Sequence, residues 1–248
     1  MGVAIGTGLF VVFTHVPFNA TQGPIGSHGS FAQAISASLS LPVPRPHPLP
    51  PKLAQWQDDK NSGDYFSEVR QTEVGSLVWS QFPIKVYIEP AGGSGTAQAQ
   101  RWVKAVFQAV KEWNVYLPLE VVKQPETADI TILRSRPPLG VSPTSNKPRA
   151  RSAETSYELY ISNASTTQGI LSHRCKILLS PSQTSHYLQA AARHELGHAL
   201  GIWGHSPVAT DALYFSQVRN SPLISPRDLN TLKRVYEQPT RLGWPLSR

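Results

Sequence analysis

His194-Glu195-Leu196-Gly197-His198 is the stretch that most narrows what this chain can become. Residues four apart share a helix face, so His194 and His198 can turn two imidazoles toward one ion. Glu195 then holds a carboxylate within reach of a water on that ion. The trio works only on a helix, and its flanks predict one. Ser182-Gln183-Thr184-Ser185 is a polar start with Thr184 or Ser185 as N-cap, and Tyr187 to Arg193 is rich in helix formers. Leu188, Ala191, Ala192, Leu196, Ala199 and Leu200 recur at helical spacing as an apolar stripe, with the two histidines beside it at the edge of a core. Gly201 suits the left-handed residue that ends a helix. The chain then turns through Ile202-Trp203-Gly204 and presents His205, a third imidazole for the same ion.

Two neutral nitrogen ligands with an adjacent carboxylate form the H-E-x-x-H pattern of a zinc hydrolase. Zn²⁺ is therefore the expected cofactor, with His194, His198 and His205 as ligands and Glu195 as general base. An amide is a poor electrophile with a poor leaving group, so a peptide bond is the expected target.

The stretch from His194 to His205 resembles the metzincin signature H-E-x-x-H-x-x-G-x-x-H, and the nearest likeness is to its matrixin-like branch, which includes predicted bacterial zinc proteases. One departure is plain. The family pattern places the third histidine where Gly204 stands; His205 comes one residue later, and Trp203 looks like an insertion. Asp211 is the alternative third ligand if His205 does not reach. Ala212-Leu213-Tyr214-Phe215 occupies the place of the family's Met-turn, but the only methionine is Met1, so Leu213 or a neighbour is the expected apolar floor. The resemblance gives Tyr214 a packing role, with oxyanion stabilisation as its alternative. Glu237 is the ligand in a thermolysin-like alternative. The resemblance implies an α+β fold: a metzincin-like (zincin) domain with a twisted, mostly parallel sheet on two long helices plus a C-terminal helix. The family's calcium sites are not expected, because the region before Cys175 offers only His173 and no aspartate array. The inhibitory propeptide cysteine is absent too.

The elements are placed by their patterns. Phe82–Glu89 alternates as a strand with Ile84, Val86 and Ile88 on one face. Thr96 caps a helix over Ala97–Asn114, lined by Val103, Val106, Phe107, Val110 and Trp113. Leu119–Val122, Asp129–Leu133, Tyr157–Ile161 and Lys176–Leu179 read as strands, and Pro137–Ser152 as an irregular loop. The Tyr157–Ile161 strand is, by resemblance, the cleft rim along which an extended peptide pairs. Ser225, Pro226 and Asp228 open a last helix, with Leu229, Leu232, Val235 and Tyr236 on one face.

The domain reading is a leader over residues 1–41, a Pro-rich linker or short propeptide over 42–76, a metallopeptidase domain over 77–240 and a tail over 241–248. Six prolines between Pro42 and Pro51 are expected to keep that stretch extended. Val3–Val12 is apolar but short for a membrane span. It fits a secretory h-region without a preceding Lys or Arg, and is a candidate tether, so a secreted, periplasmic or membrane-anchored protein is expected, with a cytoplasmic one as alternative. The net charge is +7, yet the basic residues are scattered, with one cluster at Lys147, Arg149 and Arg151. A solvated loop is the expectation there, and no nucleic-acid partner. The expected partner is a peptide or protein substrate, and a monomer is expected. Cys175, the only cysteine, is expected as a buried inert thiol. His173 and His186 are expected at the surface. The rival reading is a catalytically impaired zinc-binding domain that recognises peptides without turnover.

Overall fold

Every second residue of Ile84–Ile88 faces inward, and this strand, β1, lies second from one edge of a five-stranded sheet in the computed structural model. The structure describes residues 40–93, 95–141, 148–149, 151–162 and 169–246. Parallel neighbours need a crossover between them. Helix Ala97–Asn114 provides the one from β1 to β2 (Leu119–Val122). β3 (Ile130–Leu133) lies on the other side of β1, and β7 (Ile170–Leu179) continues the parallel set. A two-residue pair, β4 (Gly140–Val141) and β5 (Pro148–Arg149), interrupts the expected irregular loop. β6 (Ala153–Ser162) runs antiparallel to β7 and is the sheet's edge, giving the order β2-β1-β3-β7-β6. The molecule is thus α+β with a mostly parallel sheet. The hairpin strands are longer than alternation alone suggested.

Among the described residues the α-helices are α1 (Pro51–Ala54), α2 (Ala97–Asn114), α3 (Ser185–Ala199) and α4 (Pro226–Tyr236). In α2 the Thr96 side chain accepts from Ala99 N–H, as a capping residue does. Its buried face runs through Trp102, Ala105, Val106, Ala109, Val110 and Trp113, so Phe107 points outward with Lys111 over its ring. The two tryptophans tie α2 to its surroundings: Trp102 Nε1 donates to Leu179 O at 3.2 Å and Trp113 Nε1 to Arg193 O at 2.9 Å. α4 opens with the Ser225/Asp228 capping box and Pro226 in its first turn, and buries Leu229, Leu232, Val235 and Tyr236.

The segment expected to be a free linker is part of the fold. Leu53, Tyr65 and Val74 are buried. Arg45 and Thr240 exchange backbone hydrogen bonds of 3.0 and 3.1 Å, and Trp56 Nε1 donates to Asn230 on α4 at 2.9 Å. Proline removes donors and presets φ, but it does not stop the apolar residues between prolines from filling a groove. The tail behaves alike: Leu242 and Leu246 are buried, and Gly243 N–H donates to Leu171 O at 2.7 Å. The folded unit therefore begins before Leu77 and extends past residue 240.

His173 differs from expectation as well. It is buried and stacked on Trp79 with ring centroids 3.9 Å apart, and burial pulls its pKa down to about 3, so it is neutral. His186 is exposed. Cys175 is buried, and burial pushes its thiol well up, leaving it inert. Arg151 pairs with Glu154, whereas Lys147 and residues 1–39 of the leader lie outside the described residues. Among the described residues no helix is long and apolar enough to cross a membrane.

Candidate metal centre

α3 carries its apolar residues Leu188, Ala192, Leu196 and Ala199 into the core, so the adjoining face with His194 and His198 lines a cleft. Each ring is locked from behind. His194 Nδ1–H donates to Ala212 O at 2.9 Å and His198 Nδ1–H to Ile202 O at 2.8 Å. A carbonyl only accepts, so each Nδ1 carries a proton and the two Nε2 atoms face one another. Those atoms are 3.1 Å apart. Two ring nitrogens approach that closely only with a proton or a cation between them. Tetrahedral zinc with Zn–N bonds of about 2.0–2.1 Å would hold two nitrogens roughly 3.3 Å apart.

His205 joins them. Ligand atoms of His194, His198 and His205 all lie within 4.8 Å of one another. Burial, with His194 and His205 nearby, holds the His198 pKa well below its usual value. Burial, with His194 and Arg70 nearby, lowers that of His205 to about 4. Burial thus favours neutral imidazole, the form that ligates, at His198 and His205.

The loop from Gly201 to His205 is held by its surroundings. Gly201 takes φ +129° at the end of α3, and Ile202 N–H reaches back to Gly197 O at 3.0 Å. Trp203 packs edge-on against Tyr157 at 5.2 Å, and its carbonyl accepts from Arg70 N–H at 3.1 Å. Gly204 then presses on the chain at Glu68–Val69. A Cβ there would lie 2.8 Å from the Glu68 carbonyl carbon, and closer still to its oxygen. Beyond the loop, Ser206 N–H donates to Leu213 O at 2.8 Å.

Leu213 is fully buried and lies directly under the helix: a Cβ on Gly197 would meet its Cδ2 at 2.6 Å. Asp211 takes no part in the histidine cluster. Its carboxylate accepts from Ser206 Oγ at 2.5 Å and pairs with Arg227 at 3.0 Å. Tyr214 lines the cleft and packs on Phe215, while Glu237 is exposed at the end of α4, away from the cleft.

Glu195 is buried, and burial raises its pKa against the pull of His194 and Thr155. Thr155 Oγ lies 2.6 Å from Glu195 Oε2, so the hydroxyl orients the carboxylate from β6. Its sequence position carried no signal for this, because a threonine in a strand is ordinary. The same holds for Asp228, which accepts from Ala212 N–H at 2.8 Å and so steadies the carbonyl behind His194. The cleft encloses about 710 Å3. Its strand wall is Ala153–Thr155, the start of β6, rather than Tyr157–Ile161 further along.

A scan against protein-family models and a search of curated proteins each give no match to this chain.

Proposed function

We propose that this protein is a zinc-dependent endopeptidase of the metzincin type, matrixin-like in its site, with His194, His198 and His205 as ligands and Glu195 as general base. The observation that carries the reading is the facing Nε2 pair at 3.1 Å, each ring fixed by its own backbone carbonyl, with His205 alongside. Bound zinc supplies Lewis acidity, acidifying water and polarising the peptide carbonyl. The chain does the rest. Glu195, aimed by Thr155, accepts the water proton and passes it to the departing amine nitrogen. β6 offers an edge that pairs with no further strand among the described residues, so an extended peptide can hydrogen-bond along it. Leu213 supports α3 at Gly197 where the family has methionine, an apolar contact that needs no sulfur.

Metal analysis of the purified chain should find one zinc per molecule. A chelator should abolish cleavage of an unstructured protein such as casein, and added zinc should restore it. Cleavage that persists in the metal-free protein overturns the reading.

Delivery of the third ligand has its own test. Gly204→Ala forces a methyl group onto the Glu68 backbone and pushes the His205 loop outward. Zinc affinity, measured by chelator competition, should fall about 10–100-fold, the range for changes to residues that orient ligands. An unchanged affinity would mean that the loop yields without cost.

A further inference from the structure

Apart from its histidines, the cleft is lined by five charged side chains: Arg70, Arg151, Glu154, Glu195 and Asp211. Four have partners. Arg151 is bonded to Glu154 at 2.5 Å, Asp211 to Arg227 at 3.0 Å, and Glu195 to Thr155 at 2.6 Å. The Arg70 guanidinium makes no hydrogen bond or ion pair with any described residue. Its backbone is nonetheless fixed, because Arg70 N–H donates to Trp203 O at 3.1 Å, two residues before His205. An exposed cation on an anchored backbone thus stands at the histidine-loop end of the cleft.

The opposite end differs. Tyr187, Ala190 and Ala191 line the cleft from the N-terminal half of α3, and Tyr187 lies about 10 Å along the helix axis from His194. Arg70 sits past the helix's C-terminal end. The flank at the start of α3 therefore holds no unpaired charge, since its Arg151 and Glu154 neutralise each other beside Gln183, and the other flank carries a free positive charge. With a divalent ion held by three imidazoles and one glutamate beside it, the cleft as a whole is electropositive. A concave wall concentrates that field.

We infer that Arg70 binds a carboxylate of the peptide substrate close to the scissile bond, so that this cleft selects acidic peptides. The inference rests on the peptidase reading above. The carboxylate has two sources: an internal Asp or Glu side chain, or the free C-terminus of a short peptide. Guanidinium matches either in a two-pronged hydrogen bond.

The test uses the zinc-loaded full chain and quenched fluorescent peptides that differ at single positions on both sides of the cleaved bond. One set carries Glu, Gln or Lys internally with an amidated C-terminus. The other carries Gln internally with a free or amidated C-terminus. Binding of dye-labelled copies is followed in parallel by fluorescence anisotropy. The expected result is a Glu-over-Gln preference in kcat/KM of about fivefold at one position, or the same preference for a free C-terminus, as an exposed ion pair gives. The preference should vanish in Arg70→Gln and turn toward Lys in Arg70→Glu. An equal Glu/Gln ratio in wild type and Arg70→Gln, in both cleavage and binding and in both peptide sets, overturns the role of Arg70. Absence of any cleavage overturns the peptidase reading instead, and the binding ratios then still decide the question for Arg70.

Discussion

Glu195→Gln should keep its zinc and lose peptide hydrolysis. The replacement has the same shape and retains an oxygen that can accept from Thr155 Oγ, which contacts Oε2 at 2.6 Å. What disappears is the lone pair that takes a proton from water. General-base catalysis contributes about 10²–10⁴-fold, so kcat/KM should fall by that much. Zinc content should remain at one, because the three ligands are imidazoles and Glu195 is not among them. A variant that cleaves like wild type would remove Glu195 from the mechanism. If the wild-type chain itself binds zinc and peptide without turnover, the rival reading of an impaired recognition domain takes over. The two outcomes differ in a single assay that measures metal and cleavage together.

Asp228→Asn should unfold the protein far more easily. Asp228 is fully buried and accepts from Tyr65 O–H at 2.5 Å, Ala212 N–H and Ser225 N–H at 2.8 Å each, and Leu213 N–H at 3.4 Å. Asparagine turns one of its two acceptor oxygens into an N–H₂ that faces other donors. Each stranded buried group costs about 1–3 kcal/mol, so the change should cost about 3–5 kcal/mol. For a chain of this size that is a fall in Tm of roughly 10 °C. The comparison belongs on the zinc-free protein, where bound metal does not mask the difference. Zinc affinity should fall as well, because Ala212, whose N–H bonds Asp228, offers its carbonyl to His194 Nδ1. A Tm equal to wild type would show that the carboxylate carries no such burden.

The contrast between these two residues explains what could be read in advance. Glu195 stands in a five-residue word whose spacing is set by one helix, so its chemistry is local and legible. Asp228 was legible as an acid in the first turn of the helix that Ser225 opens, also a local relation, and the structure makes the two a capping box. Its bonds to Tyr65 and Ala212 span 163 and 16 residues and have no local pattern. The face of α2 shows the same limit. Two registers of apolar residues were available, and alanines at 99, 105 and 109 let Trp102 rather than Phe107 turn inward. Composition misled most between residues 42 and 76. A proline-rich stretch looks like a spacer, yet its leucine, tyrosine and valine side chains fill the core. His173 was misjudged for want of any cue that Trp79 would stack on it.

The strap from Tyr65 to Arg70 gives the last consequence. It donates to Asp228 through Tyr65, meets Gly204 through Glu68 and bonds Trp203 through Arg70. A protease nick inside it would strip support from the very loop that carries the third imidazole. Shedding residues 45–76 would remove these contacts with Asp228, Gly204 and Trp203 together.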